Sequence, residues 1–412
     1  MPSAPAADPR RVLYLSHDGA LDPLGQSQIV PYLLRLSGPD VRMTLLTFEK
    51  PRALADRQAV TQLSATLAAA RIDWVRLPYH RWPPLLATAM DMLRGFWHAW
   101  RIVRRRDVRL IHARSYVPAV LAIVLKRLTG VRVVFDMREL WVDGRVDGGA
   151  WKRGGLLHRL GKRCERWCLR QADAIVSLTE AGKGIVEQLP YWNGRRPMIE
   201  VIPTCVDVER FGNHREDAEP PPEFLRGRRV IVYAGSVGSW YRMDAVADCY
   251  RAAADRWPNA LLLILTPQPE LACAVCRRQG LADTQYAVRT VAYGDMPRYL
   301  RWAEVSLYFI APSYAKRSSC PTKLGESLAA GLPVLTNRGI GDTDAVIGPH
   351  RVGVLVEAFT PDAYRLAWDD MEALLAEGRV LRERCRRVAR ERFDLGWGAA
   401  RYRTIYDRVG IS

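Results

Sequence analysis

The residues best placed for chemistry lie in SSCPTKLGESLAAGLPVLT, residues 318–336. Pro321 suits a helix start, Thr322–Ala330 reads helical, and Gly331 and Pro333 close it. A helix start offers unpaired N–H groups and the positive end of the dipole, which suits a phosphate, and Lys323 adds a full charge there. Glu326 follows one turn later on the same face, where a carboxylate suits hydrogen bonds from vicinal ribose hydroxyls. The same residues also fit a capped core helix with Lys323 and Glu326 in solvent. A second carboxylate, Asp136, ends the apolar run Val131–Phe135, with Arg138 and Glu139 beside it. It reads either as a site residue at a strand's carboxyl end or as a cap for the next turn.

Such groups need strands and helices in alternation to hold them. RRVLYLS (10–16) is a β-rich apolar run ending in the polar loop HDGALDPLGQSQ. A helical pattern at Ile29, Tyr32, Leu33 and Leu36 follows, then VRMTLLTF (41–48), which makes a βαβ unit. Open parallel sheets bind ligands at the carboxyl ends of their strands, and that loop sits at one. The alternation continues at 72–77, 110–113, 131–136, 174–178 and 199–203. It restarts after three consecutive prolines (220–222) with RRVIVYAGSVG (228–238), a helix from Asp244 to Arg256, and strands at 260–265, 286–291, 305–310, 334–336 and 353–356. The expected organisation is a domain at 1–205, a linker at 206–222, a second domain at 223–395 and a C-terminal helix in 396–412 returning to the first. Two such domains would enclose a cleft, the default ligand site.

Composition narrows the classes. The chain has 412 residues, 49% hydrophobic and 25% charged, an ordinary globular mixture with ample length for two cores. The longest apolar stretch, about Tyr116–Leu125, is too short to span a bilayer and contains Pro118. The N-terminus lacks the basic-then-apolar run of a secretory signal, so a cytoplasmic location is expected. Eight cysteines are scattered at 164, 168, 205, 249, 273, 276, 320 and 385, which reads as reduced thiols rather than a disulfide framework. Cys273 and Cys276 form a lone CxxC with no partner pair of metal-ligand spacing. There is no H-E-x-x-H and no P-loop, so no metal and no other cofactor is expected.

Residues 318–336 resemble the nucleotide-sugar motif of retaining glycosyltransferases of family 4 (group 1), which have the GT-B fold: Glu, seven residues, Glu, then Ala-x-Gly-x-Pro-Val. Glu326, Ala329 or Ala330, Gly331, Pro333 and Val334 match it. The first loop with Gly25 and Gln26, FDMREL (135–140), IPTCVD (202–207) and YAGSVGSWYRMD (233–244) are similar to later and earlier family segments in the expected order. The resemblance implies an α/β protein of two doubly wound Rossmann-like domains facing across a cleft, the first binding the acceptor and the second the nucleotide sugar. It also implies roles. Glu326 would hold the ribose, and the amides of Leu324 and Gly325 the distal phosphate. Gly25 and Gln26 would sit where the first loop approaches the diphosphate and the acceptor. Asp136, with Arg138 and Glu139, would stand near the reacting sugar, and Met296 near the base.

Two positions depart from the family pattern. Its first Glu, which contacts donor-sugar hydroxyls, is Ser318 here. The Arg–Lys pair after the first strand of the second domain is incomplete: around Gly235 and Ser236 only Arg242 is basic, so Lys323 would compensate. The resemblance implies retention at the anomeric carbon, by same-face attack of the acceptor hydroxyl with the leaving phosphate oxygen taking its proton. No protein nucleophile is then needed, and helix dipole with cations replaces a metal.

The charge pattern bears on the partner. There are 61 basic and 44 acidic residues, a formal charge of +17, and only seven of the basic residues are lysine. The arginine excess fits either base composition of the gene or an anionic partner. Its densest stretch, Arg81–Arg114, places Leu86, Met90, Leu93, Trp97 and Trp100 on one helical face, closed by Arg101, Arg104, Arg105 and Arg106. Such a helix lies on an anionic membrane, or is a core helix with a solvated basic end. No nucleic-acid-binding motif accompanies it, so nucleic acid is not expected. The leading expectation is a transferase moving sugar from a nucleotide diphosphate to a lipid-linked or oligosaccharide acceptor, peripheral on the inner face of a bacterial plasma membrane in surface polysaccharide assembly. The alternatives are an epimerase or hydrolase of nucleotide sugars with the same fold, or a degenerate scaffold.

Overall fold

The computed structural model describes residues 9–194, 196–212, 220–238 and 240–410. Strand and helix alternate through both halves, and every ladder is parallel. The first sheet contains β1 (Arg10–Ser16), β2 (Val41–Glu49), β3 (Asp73–Pro78), β4 (Leu110–Arg114), β5 (Arg132–Asp136), β6 (Ala174–Ser177) and β7 (Met198–Val201), in the order β3-β2-β1-β4-β5-β6-β7. Its helices include α1 (Pro23–Gln28), α2 (Val30–Leu36), α3 (Arg57–Ala69), α4 (Pro84–Arg105), α5 (Tyr116–Thr129), α6 (Trp141–Asp147) and α7 (Leu156–Gln171). Right-handed crossovers divide them between the two faces: α2 and α3 on one, α4, α5 and α7 on the other.

The second sheet contains β8 (Arg229–Ala234), β9 (Ala260–Leu265), β10 (Tyr286–Arg289), β11 (Val305–Leu307), β12 (Val334–Asn337) and β13 (Gly353–Val356), in the order β10-β9-β8-β11-β12-β13. Helices α8 (Met243–Arg256) and α9 (Thr322–Ala329) belong to it, whereas α10 (Leu395–Arg408) packs on α2 in the first unit. Covered on both faces, the central strands read as unbroken apolar runs; all six residues of β9 are buried. Strand order reverses direction at β1/β4 and at β8/β11, and ligands bind outside the carboxyl ends at such switch points.

The unit boundaries differ from those read off the sequence. The first unit ends at Ile202 and resumes at Leu395; the second runs Pro203–Asp394. Residues 206–212, expected in a linker, are part of the second unit: the Val206 N–H donates to the Phe393 carbonyl at 2.8 Å, and Val208 and Phe211 are buried in its core. Residues 213–219 of the expected linker lie outside the described residues. The strands expected at 228–238, 286–291 and 305–310 stop at Ala234, Arg289 and Leu307. The chain leaves the ladder there to form loops: Gly235 takes φ 135°, and Ile310 turns to bridge Tyr241.

Candidate functional site

In the second unit the carboxyl ends of β8 and β11 and the start of α9 come together. Pro321 caps α9, and Gly331, at φ 78°, ends the turn that leads into β12. From Lys323 onward the helix is buried, so Lys323 and Glu326 are not solvated. Close packing fixes its position: a Cβ on Gly325 would stand 3.2 Å from Phe393 and 3.3 Å from Val206.

Lys323 is 7% exposed, and its Nζ has no hydrogen-bond partner among the described residues. It lies 3.7 Å from the ring centroid of Tyr241, 4.7 Å from Tyr233 and 5.1 Å from Tyr308. Aromatic faces attract a cation but satisfy none of its N–H donors. Burial therefore lowers the ammonium to about 7, against the pull of Glu326. Burial likewise raises Glu326 to about 7, opposed by a hydrogen bond from Tyr293 and by the charges of Lys323 and Arg210. Both groups sit at the edge of losing charge, which an incoming anion on Lys323 would reverse.

The other residues expected around the donor are placed as follows. Gly235 leads β8 towards Lys323, and Ser236 is exposed beyond it, its carbonyl accepting from Tyr233. Arg242 does not stand free as a phosphate clamp: its guanidinium makes a two-pronged pair with Asp244 (2.9 and 2.7 Å) and lies over the Phe359 ring. The Leu324 N–H donates to the Pro321 carbonyl at 3.1 Å, so the helix itself uses the amide expected on the distal phosphate. Ser318 is buried, its hydroxyl turned to the Ala315 carbonyl. Met296 opens a short helix and packs half-buried against the core.

In the first unit the loop after β1 is held from beneath by a carboxylate that sequence reasoning passed over. Glu49, at the carboxyl end of β2, is fully buried and accepts from the N–H groups of Ala20 (2.7 Å) and Leu21 (3.2 Å). A Cβ on Gly19 would stand 2.5 Å from Glu49 Oε2, and one on Gly25 2.1 Å from the Gly19 carbonyl. The Gln26 amide donates to the Ala20 carbonyl at 2.7 Å. Gly25 and Gln26 thus build the loop's shape. An acidic residue ending a strand next to a glycine loop is the signal that could have pointed to Glu49.

Asp136 ends β5 but faces inward. It is 1% exposed, 3.4 Å from Arg138, 3.8 Å from Arg114 and 3.6 Å from His112 Nε2. Burial opposes its ionisation, but Arg138, His112 and Arg114 together hold the carboxyl far below the ordinary range. The Gln28 side-chain carbonyl accepts from Arg138 (2.7 Å) and Arg114 (3.0 Å), tying α1 to the sheet. His112 Nδ1 lies 2.7 Å from the Tyr406 hydroxyl of α10, and burial lowers its basicity. Ser115 (φ 70°) and Arg138 (φ 47°) both adopt left-handed backbone beside this cluster, a strain of about 1–2 kcal/mol each. Glu139 is half-buried in the following loop. The sequence reading found Asp136 and Arg138 and missed His112, Arg114 and Gln28. Paired strands β4 and β5 bring Arg114 opposite Asp136, a register no local motif announces.

The fold and these two carboxyl-edge sites define a GT-B protein. The description Glycosyltransferase Family 4 matches residues 32–210, and Glycosyl transferases group 1 matches residues 228–371. The chain belongs to this family of glycosyltransferases. No curated protein sequence matches it. Among solved structures it is similar to sucrose-phosphate synthase from Thermosynechococcus elongatus, with 15% identity, TM-score 0.71, and coverage of 97% of this chain and 99% of that one. It is similar also to a glycosyltransferase from Rickettsia africae, with 12% identity, TM-score 0.69, and coverage of 98% and 99%. A third is Anabaena HepE in complex with UDP and glucose, with 13% identity, TM-score 0.68, and coverage of 97% and 100%.

Proposed function

We propose that this chain is a retaining glycosyltransferase that moves a sugar from a nucleoside-diphosphate sugar to a lipid-linked glycan at the inner face of a bacterial membrane, in surface polysaccharide assembly. One observation carries the donor half: a buried ammonium with no hydrogen-bond partner among the described residues, Lys323, at a helix start beside the loop after β8, with Glu326 one turn on. A diphosphate supplies the acceptor oxygens that the tyrosine rings cannot. Lys323 and the helix dipole stabilise the charge that builds on the leaving phosphate, so the reaction needs no metal. Glu326 takes the ribose hydroxyls. Uridine diphosphate sugars are the first donors to test, since HepE is a structural neighbour in complex with UDP-glucose.

The acceptor half rests on α4. Its buried side carries Ala87, Asp91, Gly95 and Ala99, with Ile102 and Val103 towards its end, while Leu86 (70%), Met90, Leu93 (69%) and Trp97 (53%) are exposed. Of the apolar face noted in the sequence, Leu86, Met90, Leu93 and Trp97 are exposed, and Trp100, stacked on Trp97, is half-buried. Arg94, Arg104 and Arg105 are exposed on it, whereas Arg106 is engaged with Asp73 at 2.6 Å. An apolar face edged with arginine fits an anionic bilayer. Among the described residues no helix is long and apolar enough to cross one.

The test is a panel of nucleotide sugars in EDTA, scored for nucleoside-diphosphate release with and without a lipid-linked acceptor. Release that depends on acceptor is expected. Equal release without acceptor would establish a hydrolase, conversion of the donor to its epimer without release an epimerase, and neither with any donor a scaffold.

A further inference from the structure

A second helix of the first unit repeats the pattern of α4. In α7 the first turn exposes Leu156 (82%), Leu157 (53%) and Leu160 (59%). Lys152 and Arg153 precede it, and Arg159, Arg163, Arg166 and Arg170 follow, all exposed. The opposite side is firmly held. Glu165 is fully buried and accepts from Tyr116 of α5 (3.2 Å), Tyr191 (2.9 Å) and Lys162 (2.8 Å), and Lys162 also donates to Asp143 of α6 (2.6 Å). The leucines are thus the outer surface of a well-anchored helix.

Sheet order relates the two helices. The β3→β4, β4→β5 and β5→β6 connections all step in one direction along the sheet, so right-handed crossovers put α4, α5 and α7 on one face. α5 lies between: a Cβ on Gly95 of α4 would touch Leu121, and Arg127 lies over the Trp167 ring of α7. Each helix runs back against parallel strands, so α4 and α7 both begin at the carboxyl edge of the sheet. The exposed apolar residues lie at the start of α7 and over 86–97 of α4, and both helices end in arginine. Exposed apolar clusters of this kind on a soluble surface mark an interaction site, and the flanking basic residues select an anionic one.

We propose that α7 is a second bilayer-contacting helix, and that α4 and α7 together set one face of the first unit on an anionic membrane. The leucines at the start of α7 and the exposed Leu86, Met90, Leu93 and Trp97 of α4 enter the acyl boundary while the arginines stay among headgroup phosphates. The carboxyl edge, with the loop that Glu49 holds, then faces the lipid. The inference rests on the membrane reading of α4 and adds the orientation.

Sedimentation with vesicles of phosphatidylcholine and phosphatidylglycerol (about 7:3) at low salt tests it. Three proteins are compared: the wild type, the triple change Leu156→Ser, Leu157→Ser, Leu160→Ser, and the triple change Leu86→Ser, Leu93→Ser, Trp97→Ser. UDP affinity and sedimentation velocity are followed in parallel to check folding and self-association. Each triple change should weaken partitioning at least tenfold with UDP affinity intact, and pure phosphatidylcholine should bind none of the three. If the α7 variant partitions like the wild type while the α4 variant is released, the α7 contact is wrong and the α4 reading stands. Wild type that ignores anionic vesicles overturns both. A wild-type dimer dissolved by the α7 changes, with partitioning unchanged, makes the leucines a self-association surface instead.

Discussion

Lys323 occupies the space that a side chain on Gly235 would need: a Cβ there would lie 2.8 Å from Nζ, and Gly235 already holds φ 135°. Lys323 of α9 therefore brings its amine to the loop after the first strand of this unit. Lys323→Met should abolish most nucleoside-diphosphate affinity, on the order of 100-fold for a charge-assisted contact. It should also stabilise the ligand-free fold by about 1–4 kcal/mol, since a buried unpaired charge gives way to an apolar chain. Gly235→Ala should impair binding without that gain. Calorimetry and thermal melts read both; a destabilised Lys323→Met with normal affinity would refute the assignment.

Binding should take up a proton. Lys323 has a native pKa below its unfolded one, so between about 7 and the ordinary lysine value the unfolded chain holds more protons and ligand-free stability rises with pH. Glu326 is raised, so between the ordinary carboxylate range and about 7 the native state holds more protons and stability falls as pH rises. The pair is least favourable near neutrality. A diphosphate on Lys323 restores its proton, so UDP affinity should drop toward tenfold per unit as pH climbs above about 7. Binding heats at pH 8 in HEPES and Tris should differ for wild type and coincide for Lys323→Met. Equal heats for wild type would exclude protonation of Lys323 on binding.

Glu326→Ala should cost about 1.5–3 kcal/mol of UDP affinity and far less for 2′,3′-dideoxy-UDP. The fold should survive, because the change removes a carboxylate that burial already disfavours. Equal losses for the two nucleotides would take the ribose away from Glu326.

Asp136 tests what a strand-end carboxylate does here. Asp136→Asn leaves Arg114 and Arg138 buried without their counter-charge, so about 3–5 kcal/mol of stability should be lost. Arg138→Met beside it should recover part of that loss, as coupled neighbours do. Unchanged stability with lost turnover would instead return Asp136 to a catalytic part.

The strands were legible because parallel strands covered on both faces are short apolar runs broken by polar loops; β9 and β12 fall where the sequence put them, within a residue. Lys323 and Glu326 were legible because helix chemistry is local. Long-range partners were not. His112 meets Tyr406, 294 residues away, and nothing in either neighbourhood signals the pairing. The outward turn of α4 was ambiguous for a related reason. Leu86, Met90, Leu93 and Trp97 form one apolar stripe and Ala87, Gly95, Ala99 and Ile102 another, and the packing of Phe48 and Leu121 against Gly95 puts the second inside.

The Glu49 carboxylate replaces water for two loop N–H groups, that of the buried Ala20 and that of the half-buried Leu21. Glu49→Ala leaves both donors without their acceptor, that of Ala20 buried, and opens a void under Gly19. A cost of about 1–3 kcal/mol is expected for each unsatisfied group, reduced where water enters. Because the loop is local, the damage should be local too. Hydrogen exchange at Ala20 and Leu21 should quicken markedly, while UDP affinity, proposed to rest on Lys323 and Glu326, should change little. Glu49→Gln retains one acceptor oxygen and should fall between. Acceptor-dependent turnover should drop more than donor affinity, since the loop lies at the carboxyl edge assigned to the acceptor. Unaltered exchange at both amides in Glu49→Ala would show that the loop holds its shape without the carboxylate, and that Glu49 matters only to the strand it ends.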